Sequence, residues 1–395
     1  MSEFRTIREL CSVVVDCPHS TPKWTANGKI VIRNNNIKHG RIDFSSPSYT
    51  DDEHFAQRIK RAKPQPGDII ITREAPIGDV GMIPENTECC LGQRMVLLRA
   101  NQSVCDNFYL LYSLQSLYVQ HQISWSEGTG TTVSNLRIPH LEQIQIPYLP
   151  LEQQAKISSV LRALEEKIEN NRRLNDNLEQ QAQSYFQELF VDNASPEWTT
   201  GTISDLGTVV GGSTPSKAKP EYYTESGIAW ITPKDLSINK SKFVSHGEND
   251  ITELGLRNSS AAIMPEGTVL FSSRAPIGYI AIAAGEVTTN QGFKSVVPKP
   301  EIGTPFVYFF LKNTLPVIEG MASGSTFKEV SGSTMKNVPA VIPDAETLAK
   351  FSDFCAAIFA QQRTLEEQNQ SLAKLRDSLL PKLMSGEIDV SAVQL

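Results

Sequence analysis

The chain has 395 residues, 40% of them hydrophobic and 21% charged, and a formal net charge of −7. That length exceeds one ordinary core and suits two domains with connectors, while the mild acidity argues against a stand-alone, non-specific nucleic-acid binder. No apolar run reaches bilayer length, the N-terminal stretch lacks the apolar core of a secretion signal, and the six cysteines show no Cys-x-x-Cys spacing; a cytoplasmic chain with reduced thiols and no membrane contact is expected.

In chain order, alternation and turn signals predict strands over 68–72, 79–83, 94–98 and 143–147 and an amphipathic helix over 107–122, all within a first mixed α/β domain, 1–150. A loop rich in Gly, Ser and Thr covers 126–135. A central segment, 151–192, follows. From Leu151 to about Phe190 it contains no Gly or Pro, and Ile157, Leu161, Leu164, Ile168, Leu178, Ala182, Tyr185 and Leu189 recur at steps of three and four. This is a coiled-coil seam on a helix roughly 60 Å long at about 1.5 Å per residue. Asn171 and Asn175 are polar seam positions, which weaken such a seam and fix its register.

The stretch 191–200 reads as a linker into a second mixed α/β domain, 193–344. Strands are expected there over 268–272, 278–283, 294–297 and 338–342, with a helix over 305–319 that carries Pro316 and a polar loop over 322–334. The C-terminal segment, 345–395, repeats the seam with Phe351, Cys355, Ile358, Gln362, Leu365, Asn369, Leu372, Arg376, Leu379 and Leu383. Asn369 falls at the position equivalent to Asn175, and Gly386 stops the helix. Neither seam is stable exposed to water. The economical arrangement packs the two helices on each other as an antiparallel coiled coil; the alternative packs each on its own globular domain. About five of the seven excess acids lie in these helical segments and the tail, leaving the first globular stretch near neutral.

The two halves are a duplication. Ala75-Pro76-Ile77-Gly78 recurs as Ala275-Pro276-Ile277-Gly278, Leu91-Gly92-Gln93-Arg94 faces Thr289-Asn290-Gln291-Gly292, and Gly128-Thr129-Gly130-Thr131 faces Gly324-Ser325-Thr326-Phe327. A period near half the chain means a repeated domain-plus-helix unit, not a solenoid.

Catalytic motifs are missing. There is no phosphate-cradling Gly-x-x-x-x-Gly-Lys-Ser/Thr loop, no Asn-Pro-Pro-aromatic run, and no histidines at metal-ligand spacing. The chain reads as a non-enzyme that binds no metal or cofactor itself. What remains are polar loops whose donors suit phosphates and base edges: Arg forks onto guanine, and Asn or Gln onto adenine. The candidates are Arg33, Asn35, Arg73, Gln93, Arg94, Thr129 and Thr131 in the first half. In the second they are Lys234, Arg274, Asn290, Gln291, Lys294, Ser325 and Lys328. The basic run from Arg58 to Lys63 reads foremost as a solvated surface.

Ile144-Gln145-Ile146-Pro147-Tyr148-Leu149-Pro150-Leu151-Glu152-Gln153-Gln154, Ser273-Arg274-Ala275-Pro276-Ile277-Gly278, Thr289-Asn290-Gln291-Gly292 and the C-terminal Leu375 to Ile388 together resemble the specificity (S) subunits of Type I restriction–modification enzymes. The first half departs from the pattern where Arg73-Glu74-Ala75 replaces Ser-Arg-Ala and Gly92-Gln93-Arg94 replaces Asn-Gln-Gly. The resemblance implies two target recognition domains, each reading one half of a bipartite, asymmetric double-stranded DNA target, with the helices setting the gap. It further implies two methyltransferase (M) subunits carrying S-adenosylmethionine and restriction (R) subunits bringing ATP- and Mg-dependent chemistry. The S-like subunit of a Type II system that cuts beside its site, a non-DNA scaffolding protein and an enzyme with cryptic motifs are the competing readings.

Overall fold

The computed structural model describes residues 3–38, 40–125, 135–324 and 328–393. The chain divides into two compact units, Met1–Ile168 with Ser371–Leu395, and Glu169–Gln370. The expected four segments are regrouped by this division, because both boundaries fall inside a long helix. Each unit therefore holds one globular part and a piece of both helices.

In the first unit one antiparallel sheet runs Cys11–Asp16, Met95–Ala100, Ile69–Arg73, Ile77–Met82. A smaller sheet places Lys29–Ile32 between antiparallel Ser48–Thr50 and parallel Cys89–Leu91. Side chains alternate across a strand, so Ile69 and Ile71 enter one apolar core while Ile70 enters another. That explains an unbroken apolar run where a half-exposed strand would alternate. The second unit repeats this: Val269 and Phe271 face one core and Leu270 the other, in a five-stranded sheet containing Val269–Ser273 and Ile277–Ala283.

The strands expected in both halves form within a residue or two of their predicted bounds. The helix expected over 107–122 instead breaks into Asn107–Gln115 and Leu117–Ser124. Ser116 is extended there; its hydroxyl donates to the Ser113 carbonyl at 2.6 Å and accepts from the Val119 N–H at 3.4 Å. A capping side chain thus serves both ends of the break. The counterpart Thr304–Met321 runs on through Pro316.

The central helix spans Leu151–Gln187 and the C-terminal helix Ala345–Met384, after which Gly386 adopts φ +75°. That left-handed conformation suits glycine and ends the helix as expected. In the first unit Arg376 lies 3.6 Å from Glu165, and Lys156 Nζ donates to the Ser391 carbonyl at 3.0 Å. In the second, Asn171 Nδ2 donates to Asn369 Oδ1 at 3.0 Å, Gln362 Nε2 donates to the Asn175 carbonyl at 3.2 Å, and the rings of Tyr185 and Phe354 are 4.6 Å apart. Numbers rise on one helix as they fall on the other, so the helices pair antiparallel within each unit.

Both packing arrangements expected for the seams are realised together. Ile157 and Leu161 share a core with Tyr109, Tyr112 and Leu383, while Leu178, Ala182, Ile358 and Leu365 share one with Val269 and Phe271. Ile168 is buried, and Leu164, Leu372 and Leu379 are half-buried. Asn369, the repeat equivalent of Asn175, meets Asn171 across the pair. One detail differs from the expected seam: Phe186, outside it, is buried where Tyr185 and Leu189 are only half-covered. A 3.6-residue helix drifts about 20° per heptad from a 3.5 repeat, so successive steps of four from Leu178 through Ala182 to Phe186 hold the buried line.

Replacing Asn171 by alanine is expected to cost about 1–3 kcal/mol, because the partly buried amide of Asn369 then loses its partner. The double replacement Asn171→Leu with Asn369→Leu should recover most of that loss, as both polar groups leave together. Urea unfolding of the wild type and the two variants checks this; a double variant as weak as the single one counts against the pairing.

Candidate nucleic-acid interface

Both units bend the chain at the same place. Arg73 pairs with Ile77 and Ser273 with Ile277 across an irregularity, around Ala75-Pro76 and Ala275-Pro276, both cis. Ala75 and Ala275 have φ +43° and +50°, and Gly78 and Gly278 follow at +82° and +94°. The Arg73 N–H donates to the Arg94 carbonyl at 2.8 Å and the Ser273 N–H to the Gly292 carbonyl at 2.7 Å. The Leu136 N–H donates to the Arg73 carbonyl and the Val330 N–H to the Ser273 carbonyl, each at 3.0 Å. These bonds match Gln93 with Gln291, Glu74 with Arg274 and Asn135 with Glu329.

In the first unit the matched loops edge a cleft of about 440 Å³, lined by Trp24, Arg33, Asn34, Asn35, Gln93 and Arg94 among others. The strand Lys29–Ile32 delivers Arg33 to its rim, with the guanidinium 5.2 Å from the centre of the exposed Trp24 ring. The asparagine run largely ties itself down. Asn36 accepts from the Arg33 N–H at 2.9 Å and donates to the Asp43 carbonyl at 3.0 Å, and Asn34 Nδ2 donates to the Glu74 carbonyl at 2.6 Å. Asn35 is exposed. Arg94, at φ +64°, lies 3.3 Å from the Glu74 carboxylate, and Gln93 Nε2 donates to the His19 carbonyl.

Four candidates of the first half thus converge: Arg33, Asn35, Gln93 and Arg94. Arg73 is placed elsewhere. Its guanidinium binds both Asp16 oxygens at 2.8 and 2.9 Å, the Leu136 carbonyl at 2.9 Å and Asn135 at 3.2 Å, with the side chain 12% exposed. It is a strut behind the loop, in the position Ser273 holds in the second unit. Thr129 and Thr131 lie outside the described residues, as does Ser325. The basic run is not a uniform solvated face either. Arg58 is 6% exposed and donates to the backbone carbonyls of Leu91, Ser20, Gly92 and Pro18 at 2.7 to 3.1 Å.

In the second unit Arg274 and Lys294 lie 3.6 and 3.7 Å from the Glu329 carboxylate. Asn290 Oδ1 accepts from the Gly292 N–H at 2.8 Å, and Gln291 is bonded to the Thr214 hydroxyl. Lys234, near the start of the helix Pro233–Ile238, pairs with Glu248 at 2.6 Å, which raises its pKa; Lys328 is exposed. The carboxylates have traded places between units: Glu74 faces Arg94, whereas Glu329 on the opposite loop faces Arg274 and Lys294. Sequence reasoning missed Trp24, Glu74 and Glu329. The exchange of Glu74 for Arg274 at matched positions was the available signal.

The arrangement is donor-rich. All six cysteines are buried, and burial pushes the thiols of Cys11, Cys89 and Cys355 up to about 12, far from a reactive thiolate. Among the described residues no cluster of His, Cys, Asp and Glu could hold a metal, and no helix is long and apolar enough to cross a membrane.

A family model described as the Type I restriction modification DNA specificity domain matches residues 3–180 and again 196–374. The chain belongs to this family. The two matches coincide with the duplicated halves, so each unit carries one specificity domain. The specificity subunit of the type I restriction enzyme MjaIX of Methanocaldococcus jannaschii is 38% identical over 192 residues, 48% of this chain and 44% of that protein. That of the HindI enzyme of Haemophilus influenzae is 27% identical over 194 residues, 48% of this chain and 42% of its own length. The chain therefore aligns with less than half of each of these relatives. A crystal structure of the S subunit of a Type I restriction–modification system from M. genitalium shares the fold of this specificity-domain chain, with a TM-score of 0.59, 19% identity and coverage of 97% of this chain and 96% of that one.

Proposed function

We propose that this chain is the DNA-specificity subunit of a Type I restriction–modification enzyme, and that each specificity domain reads one half of a bipartite, asymmetric double-stranded DNA target. The observation that carries the reading is the repeated loop cluster: Arg33, Asn35, Gln93 and Arg94 line one cleft, and the corresponding loops of the other unit carry Arg274, Asn290, Gln291 and Lys294, with Gln291 at the position matched to Gln93. Guanidinium, ammonium and amide groups are the donors that phosphates and base edges accept from. The chain contributes recognition without catalysis. Two methyltransferase subunits bring S-adenosylmethionine, restriction subunits bring ATP- and Mg-dependent cleavage, and their positive surfaces offset a net charge of −7. The assembly works on cytoplasmic DNA.

The test is to purify the chain with its methyltransferase subunits and map protected and methylated DNA. Two short half-sequences at a fixed gap support the proposal; no sequence-dependent protection, or methyl transfer by this chain alone, overturns it. The helices act here as spacers. Adding one heptad to both, beside Ile168 and Ser371, keeps the seam in phase and lengthens each by about 10 Å at 1.5 Å per residue. The gap is expected to grow by about three base pairs at 3.4 Å each, with both half-sequences unchanged. Methylome sequencing reads the outcome, and altered half-sequences would count against the spacer role.

A further inference from the structure

Gln93 and Gln291 hold matched positions, but only one is chemically fixed in its orientation. The His19 carbonyl can only accept, so Gln93 must present one Nε2–H to it, which turns Oε1 away from His19 as the acceptor of the amide, with the second N–H beside it. Flipping the amide would set two acceptors against each other. Asn34, on the same cleft, is oriented alike: Nδ2 donates to the Glu74 carbonyl, and Oδ1 is buried with no partner among the described residues. The acceptor that the cleft lining offers beside the donors of Arg33 and Arg94 is therefore Gln93 Oε1. The second unit has the reverse bias, because the backbone N–H of Gly292 takes Asn290 Oδ1 and leaves Nδ2 as a donor, in the unit where Lys294 and Arg274 share the Glu329 carboxylate.

In the major groove only adenine and cytosine present an amino donor; guanine presents the acceptors N7 and O6, and thymine the acceptor O4 with a methyl group. We infer that Gln93 is a specificity-determining residue of the first unit, whose Oε1 accepts from the exocyclic amine of one target base. Adenine fits best, since its N7 lies beside N6 and accepts from a guanidinium such as Arg94. Guanine or thymine would place an acceptor against Oε1. This rests on the reading of the chain as a DNA-specificity subunit.

The test uses the chain with its methyltransferase subunits and duplexes carrying the target found by methylome sequencing. Each adenine is replaced in turn by 2′-deoxynebularine, and each cytosine by the 2-pyrimidinone deoxynucleoside, both lacking the amine. At one position in one half-sequence, loss of the amine is expected to weaken wild-type binding roughly 5- to 100-fold, the range of one good base contact. Gln93→Leu should bind the two duplexes alike at that position and keep every other preference, and Gln291→Leu should leave that position untouched. Sensitivity at an adenine supports the adenine assignment, and sensitivity at a cytosine replaces it while keeping the amine contact. If wild type and Gln93→Leu lose equally at every amine, or Gln93→Leu relaxes a guanine or thymine position, the inference falls and the functional reading stands. If the wild-type complex does not prefer its target over scrambled DNA, the functional reading falls as well.

Discussion

Arg58→Met is expected to destabilise the first unit by about 3–5 kcal/mol while the unfolding transition of the second stays in place. Among the described residues Arg58 is buried without a carboxylate partner, and burial lowers its pKa. Its charge is held by backbone carbonyls: Pro18 and Ser20 on one loop, Leu91 and Gly92 on another. Methionine fills similar space but strands these acceptors, each of which had a charge-assisted hydrogen bond. The same two loops lead to Trp24 and Gln93, so the cleft should loosen as stability falls. Urea unfolding followed by hydrogen exchange separates the two units; a loss below about 1 kcal/mol would mean that water replaces the guanidinium at little cost.

The second unit should respond as strongly to Glu179→Leu, by about 3–5 kcal/mol, because removing one member of a buried ion pair leaves the other charge uncompensated. Lys242 Nζ donates to Glu179 Oε2 at 2.6 Å and to Gln362 Oε1 at 2.8 Å, and lies 3.7 Å from the centre of the Phe359 ring. Lys312 also pairs with Glu179, and the Tyr308 hydroxyl donates to it at 3.1 Å. Burial pushes the Glu179 carboxyl up, but Lys242 and Lys312 outweigh it and hold it below its usual range. Its contribution is present above the ordinary carboxylate range and is lost as pH falls through the folded value.

Lys242 has the opposite sign. Burial pulls it down to about 8 from 10.5, against the pull of Glu179. Between those values the unfolded chain binds more protons, so this group makes stability rise with pH across the window. The buried thiols, held above their ordinary value, pull the other way above about pH 9, so the difference between variants carries the test: from pH 7 to 10 the wild type should gain stability relative to Lys242→Met. An identical response in both would mean that Lys242 is not the titrating group.

The sequence carried the periodic features well, because periodicity is local. Ile157, Leu161, Leu178, Ile358 and Leu365 announce their helices by spacing alone, and Ala75-Pro76-Ile77-Gly78 announces the duplicated bend by recurring. Membership of the specificity-domain family and two mixed α/β halves follow from such signals. The candidate site was only partly legible. Arg33, Asn35, Gln93 and Arg94 converge on one cleft, but Arg73 and Arg58, indistinguishable from them by residue type, are spent inside the fold.

What the sequence by itself determined is therefore the set of elements and the repeat, since each residue there is placed by neighbours a few positions away. Which guanidinium faces outward, which end of an amide stays free, and which Asn meets Asn369 were decided by the tertiary structure. Each depends on carbonyls and carboxylates brought from distant parts of the chain: Leu91 to Arg58, His19 to Gln93, Asn369 to Asn171. A polar side chain is directed by the partner that satisfies it, and that partner exists only once the chain has folded.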